Sequence, residues 1–550
     1  MYPGIIVLSI IPGCKGDGGL GSPRFNSARG LSSAMTRTLK AMLLIVLGTP
    51  AVMVEQTRPG AKPPPALIAS FDGLGAGFVG PQGISTQRNP SDNSLAVGPD
   101  HVMQVINTRL AIFTKTGTPL YGPVETRALF RHFGGPCETQ NNGDAVARYD
   151  QLAGRWLIVM PIFSKHLLRS APQPGSAVLL GTQDSALGTR MPSAEGRVPR
   201  TSFAMCYAIS TGTDPMGPYY RYEFPRALFP DYPRPAVWPD GYYVPTSTGD
   251  EVIQKHACVV ERAKMLVGGD AKEQCVIIDG VNFLNNADLD GQELPPPGAP
   301  NIMLAAGGAQ LNKIMEDDGV YAWTFHVDWE DSTKTTVTGP TKIPVARYHY
   351  LCDGQLTDCV PQPGTDRRLD AQGDKLMARV VYRRIGKQES IVAVHSVNTR
   401  AGGGGVRWYE FRLDEARNVG LYQQGTYAPD RFYRWMASPA MDRKGNIGIG
   451  YSFGGTPHFA GQRFAGRMAN DPKGRLTLRE TVLATGQAAQ TTTMRWEDYT
   501  QTAMDPADDC TMWYVGDYLK RDSANYSTRI GAFRMPQCQA PGLRGGPRQR

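Results

Sequence analysis

The chain has 550 residues, 62 of them glycine and 43 proline, with tyrosine and tryptophan throughout and few stretches of helical period. That mixture reads as all-β with many turns rather than helical. The net charge of +8 does not mark a nucleic-acid binder: Lys15, Arg24, Arg29, Arg37 and Lys40 near one end and Arg544, Arg548 and Arg550 at the other carry most of it, and no cluster of Lys and Arg interleaved with aromatics stands out between them.

From Met35, the segment MTRTLKAMLLIVLGTPAVMVEQ sets Arg37 and Lys40 before the apolar run 41–47 and then small residues. This is the layout of a secretory signal peptide, too short to anchor the protein across a bilayer. The expectation is a true start at Met35, with 1–55 an N-terminal extension and signal peptide. The mature protein is then secreted or periplasmic, with no membrane span. Residues 56–84, opening QTRPGAKPPPALIAS, are expected as a Pro/Gly-rich linker, 85–538 as the folded domain and 539–550 as a basic disordered tail. Cys14 aside, eight cysteines remain, an even number that favours disulfides in an exported chain. Proximity suggests Cys137 with Cys206, Cys258 with Cys275, Cys352 with Cys359 and Cys510 with Cys538. No C-x-x-C pair exists, which argues against zinc.

Within 85–538 one pattern recurs: a short alternating strand, a polar turn with Asp, Pro or Gly, then a strand holding an aromatic. The hairpins are SLAVGPDHVMQVIN from Ser94, AVARYDQLAGRWLIVM from Ala145, PAVWPDGYYVPTS from Pro235, LMARVVYRRIGKQESIVAVHSV from Leu376, SPAMDRKGNIGIGYS from Ser438 and TQTAMDPADDCTMWYV from Thr500. Each is followed by a second strand pair, such as LAIFTKTG or STRIGAFRM, and a weaker unit lies at 301–329. Four strands per unit, repeated around an axis, make a β-propeller. The expected fold is all-β, a single β-propeller of six to seven four-stranded blades, in a monomer.

AVGPDHVMQVIN, YDQLAGRW, WPDGYY, DLDG, FHVDW, YQQGTYAPD, MDRKGNIGIGYS, RWEDY and DPADDCTMWY span residues 90–535. Together they resemble a family of secreted bacterial β-propeller proteins of sialidase-like fold. The resemblance implies a propeller and export, and supplies no catalytic residues. Of the S-x-D-x-G-x-x-W boxes of sialidases, only SPAMDRKGNIGIGY comes near, with Ser438, Asp442 and Gly445 at looser spacing.

Asp92, Asp144 and Asp498 each stand a few residues ahead of an inner strand. In a propeller such starts crowd round one mouth of the central channel. Carboxylates drawn together raise a pKa or recruit a cation; held apart, each caps its own turn. Glu497 and Asp498 adjoin, and on a strand they would face opposite ways, so they are not expected to act together on one bond. Trp435, Trp496, Tyr499 and His395 are candidate ligand-binding residues, the aromatics as a carbohydrate platform unless they fill inter-blade packing. NNADLDGQEL at 285–294 sets Asn286, Asp288, Asp290 and Gly291 at positions 1, 3, 5 and 6 of a calcium loop; Glu293 is a substitute ligand where position 12 is Pro297. Calcium is the one cofactor the sequence suggests. GYSFG at 450–454 and GAGFVG at 75–80 match a nucleophile elbow and a dinucleotide loop in letters only, since no helical pattern follows either. The expected function is binding of an extracellular glycan, peptide or protein partner at the channel face. The alternative is a glycoside hydrolase or lyase on extracellular polysaccharide, using Asp498 with Asp92 or Asp144.

Overall fold

A computed structural model describes residues 54–538 apart from 87, 165–176, 180–201, 249–253, 312–314, 316 and 355–357. The expected signal peptide and basic tail lie outside the described residues.

The innermost strands of seven sheets surround a channel: Ser94–Val97, Val146–Asp150, Ala236–Val237, Asn285–Asp290, Val380–Ile385, Tyr433–Met441 and Gln501–Met504. Each lies beside the next, and the last lies beside the first, so the ring closes. Every sheet then runs outward as an antiparallel meander. The protein is a seven-bladed β-propeller. Turn chemistry explains the recurrent Asp: Asp150 accepts from the Leu152 and Ala153 amides (3.0 and 3.1 Å), and Asp442 from those of Lys444 and Asn446 (2.8 and 3.0 Å). A carboxylate that holds its own turn lets the chain reverse in a few residues.

Two expectations are corrected here. Residues 66–75 are no linker: Ala66–Gly75 is a strand paired antiparallel with Ser527–Arg534, completing the last blade from the other end of the chain. Glu55–Gln56 pairs with the edge of the fifth blade, and Val79–Gly80 with Gly83–Ile84. The segment 285–294 is no calcium loop either. Asn285–Asp290 is the innermost strand of the fourth blade, which continues through Asn301–Ala306, Val320–His326 and Thr336–Ile343.

Neighbouring innermost strands turn unpaired edges toward one another, and buried edge groups need partners. Polar side chains supply them. Ser94 Oγ donates to Gln501 Oε1 (2.9 Å) and accepts from the Ala147 amide (2.8 Å), while Gln501 Nε2 donates to the Leu95 carbonyl (2.8 Å). The Thr502 amide donates to Ser438 Oγ (2.9 Å). The fourth and fifth blades differ: Ala287–Asp290 pairs directly, in parallel, with Val380–Arg383, fusing the two into one sheet.

Four disulfides form, Cys137–Cys206, Cys258–Cys275, Cys352–Cys359 and Cys510–Cys538, the pairings that proximity favours. Among the described residues no helix is long and apolar enough to cross a membrane. Cys137–Cys206 joins the short helix Gly135–Thr139 to a strand of the second blade and closes 69 residues of chain. Replacing both cysteines by serine is expected to lower stability by ~2–4 kcal/mol, read as a fall in the urea midpoint with a slope that rises as the unfolded chain expands.

Candidate functional site

The lumen is filled at the ends of the innermost strands and polar at their beginnings. At the filled end Arg379 Nε donates to Asp288 Oδ2 (2.8 Å) and its other nitrogens reach Asp290, while Arg148 Nε lies 3.3 Å from Asp288. Only a cavity of about 40 Å³ is left beside them. A guanidinium thus occupies the place of the expected calcium. Asn286 Nδ2 donates to Asn301 Oδ1 (2.8 Å), and Glu293 accepts from the Gly386 amide (2.7 Å), so neither joins Asp288 and Asp290 at the guanidinium.

The opposite mouth is shaped by a ring of left-handed residues, five ahead of innermost strands and one, Met436, at an irregularity within Tyr433–Met441. Asp92, Asp144, Tyr232, Gln372, Met436 and Asp498 have φ between 45° and 59°. Asp tolerates this conformation better than most residues. It turns the backbone ahead of the strand, and so helps aim side chains from different blades at one place.

Asp144 is the centre of the group. It is hydrogen-bonded to Asp92 on one side and to Asp231 on the other. The Tyr232 amide donates to Asp231 Oδ1 (2.9 Å) and to Asp144 Oδ2 (3.3 Å). Asn107 Nδ2 donates to Asp92 Oδ2. Asp498 accepts from Arg495 and from Gln372 Nε2 (3.0 Å), and Arg495 Nε also donates to Asp370 Oδ2 (3.0 Å). Lys375 pairs with Asp374 (2.7 Å), its Nζ 4.2 Å from the Phe283 ring centroid. Tyr232 and Tyr499 meet edge to face at 5.1 Å beneath the carboxyls, and the Tyr499 hydroxyl, 4 % exposed as a residue, has no partner.

Burial, then the Asp144 and Asp498 carboxylates, push Asp92 well above the usual carboxylate range. Burial and Asp144 raise Asp231 to about 9, and burial with Asp498 raises Asp370 to about 7. Like charges this close cannot all ionise, so protonated carboxyls donate to ionised neighbours. Asp231 binds its proton more tightly folded (about 9) than unfolded (3.8). Its contribution to stability is full below the unfolded value and lost as pH rises through the folded one. Asp231→Asn, neutral throughout, is expected to match the wild type at pH 3 and to melt about 2 °C or more above it at pH 9. Parallel melting curves for the two proteins across that range would disprove the assignment.

The structure brings together Asp92, Asp144, Asp498 and Tyr499, and adds Asp231, Asp370, Asp374, Lys375 and Arg495. It does not bring Trp435, Trp496 or His395 to a ligand surface, which corrects the platform reading: all three are fully buried. Trp435 and Trp496 pack together at 6.2 Å, filling the space between blades. His395 sits among Tyr348, Tyr350 and Tyr409, with burial and Arg407 holding its pKa well below the usual histidine value. Glu497 and Asp498 do face apart, through consecutive left-handed residues rather than a strand pleat. Glu497 turns inward to Ser452 Oγ (2.8 Å), Gln462 Nε2 (3.0 Å) and the Asp517 amide (2.5 Å). Ser452 lies mid-strand in Ile447–Gly455, held by Trp496 Nε1 and Glu497, which is a structural role and not a nucleophile elbow.

Fold and site together define a seven-bladed propeller with an acidic channel mouth. No family model matches the sequence, and no curated protein sequence matches it. Among solved structures, a Dyadobacter fermentans protein of unknown function is similar at 10 % identity and TM-score 0.30, over 85 % of this chain and 99 % of its own. A mutant NanB sialidase from Streptococcus pneumoniae is similar at 11 % and 0.35, over 72 % and 68 %. The WD40 domain of SCAP from fission yeast is similar at 8 % and 0.29, over 81 % and 85 %. The propeller assignment rests on the sheet order itself.

Proposed function

We propose that the protein is an exported propeller that binds an extracellular partner, a glycan foremost, at the mouth formed by Asp92, Asp144, Asp231 and Asp498. The observation that carries this is the convergence of four aspartates from four blades around the buried Tyr499 hydroxyl, which has no partner among the described residues. Buried polar atoms are almost always paired, and carboxyls gathered beside an unpaired hydroxyl suit a ligand with hydroxyl or amine donors. Four disulfides suit an oxidising compartment.

Hydrolysis or lysis of a polysaccharide is the second reading, favoured by Asp231, which burial and Asp144 keep protonated at neutral pH as a general acid must be. Against it, Asp92, Asp144 and Asp231 touch, whereas glycosidase carboxyls stand ~5 Å or more apart across their substrate. A panel of extracellular polysaccharides, assayed for binding and for new reducing ends, separates the two. Binding without cleavage, weakened roughly 10–100-fold by Asp144→Asn, is the expected result, the loss of one charged hydrogen bond. Binding that survives both Asp144→Asn and Asp498→Asn would remove the mouth from consideration.

A further inference from the structure

A second concavity, of opposite charge, lies away from the channel. It runs along the outer edge of the fifth blade, between the Glu55–Gln56 strand and the 473–475 turn of the sixth, with a volume of about 1160 Å³. This exceeds the ~300–1,000 Å³ usual for a small-molecule pocket and gives room for several units of a chain. Its lining holds Arg347, Arg400, Arg407, Lys473 and Arg475 against one carboxylate, Glu55.

Arg407 forms the floor. It is 3 % exposed and already spent on Thr426 Oγ1 (2.6 Å), the Ala346 carbonyl (3.1 Å) and Gln424 Oε1 (3.3 Å), which fixes the strand edge beneath the groove. The rim is different. Arg347, Lys473 and Arg475 are exposed, and no salt bridge links any of them to a carboxylate among the described residues. Three cations held on one rim above a buried fourth raise the local potential and concentrate anions.

We propose that this groove binds an anionic polysaccharide, a chain bearing carboxylate or sulfate groups. Asn398 in the lining, whose Nδ2 donates to Asp353 Oδ1 (3.0 Å), offers its side-chain carbonyl to hydroxyls between the charges. A nucleic acid is the less fitting polyanion. Single strands need open aromatic faces on which bases stack, and here the Tyr422 ring is covered by Arg412 at 3.3 Å and Lys473 at 3.7 Å, while Tyr348 is buried. The groove is independent of the channel mouth, whose acidic lining repels the same ligand.

The test uses the full mature protein with alginate oligosaccharides as the anionic probe, dextran as the neutral control and oligothymidylate as the competing polyanion, by titration calorimetry. Wild-type protein binds alginate and not dextran, and its affinity falls at least roughly tenfold between 50 and 300 mM salt. The combined variant Arg347→Gln, Lys473→Gln, Arg475→Gln loses at least roughly tenfold in affinity with an unchanged melting temperature, because these side chains are exposed. Asp144→Asn binds alginate as the wild type does, which separates this groove from the mouth. Equal binding of alginate by the triple variant, equal binding of dextran that Asp144→Asn leaves unchanged, or tighter binding of oligothymidylate overturns the proposal.

Discussion

Arg379→Ala is expected to destabilise the protein by ~3–5 kcal/mol at neutral pH, because it strands two buried carboxylates. Arg379, Asp288 and Asp290 are each about 5 % exposed at their side chains, and the guanidinium contacts both acids. Arg148 reaches only Asp288, so Asp290 keeps no partner as close as the one removed. Burial already tends to raise Asp290, and Arg379 opposes it. Without that cation the folded state takes up a proton on Asp290 that the unfolded chain, titrating near 3.8, releases. The sign follows: the penalty is least at acid pH and grows as pH rises through the variant's elevated values. Urea titrations at pH 4 and pH 8 check this. A penalty under ~1 kcal/mol at pH 8, or one that shrinks with rising pH, would show that the pair is solvated or otherwise compensated. Replacing all three residues by apolar ones of similar size should recover much of the loss, since it removes the charges together.

The second large effect concerns ring closure. A chain starting at residue 77 lacks the strand Ala66–Gly75, and it is expected to lose cooperative melting and to aggregate. That strand brings the whole outer ladder of the last blade. It also brings the Leu74 amide to Gln104 Oε1 (2.7 Å) and Thr528 Oγ1 to the Leu74 carbonyl (2.6 Å), and sets Phe71 against Phe113 and Trp513 at 5.5 and 6.3 Å. These contacts join the last blade to the first. Their loss leaves Ser527–Arg534 as an open hydrophobic edge, and the deficit rivals a whole domain's ~5–15 kcal/mol. A chain starting at residue 62 retains the strand and is expected to stay folded. Size-exclusion chromatography and a thermal melt of both truncations decide the matter; a monomeric, cooperatively melting short form would refute the role given to this strand.

Six inner hairpins were legible because turn-forming Asp and Gly punctuate alternating apolar runs. The fourth blade was faint for the same reason: Asp288 and Asp290 read as turn residues, since acids are depleted from strands. Only the cation at Arg379, some ninety positions on, makes them tolerable there. Ala66–Gly75 was hidden by the prolines at 63–65 and by a partner more than 450 residues distant. At the mouth, Asp92, Asp144 and Asp498 could be singled out from their spacing to the inner strands. Asp231 precedes Ala236–Val237 in the same manner and could have been found so, but DYPRP looks like a plain turn. Asp370 and Lys375 arrive on a long irregular approach with no repeat to betray them. Trp435, Trp496 and His395 were misplaced because period-two alternation assigns faces without saying which one meets the next blade.

The direct pairing of Ala287–Asp290 with Val380–Arg383 has a mechanical consequence. Two adjacent wedges of the ring share one backbone ladder and move as a unit, like the spine of a fan. Asp92, Asp144, Asp231 and Asp498 belong to the other side, where wedges meet through side chains. Any widening that admits a guest is therefore borne by the sectors carrying the acids, while the spine stays still.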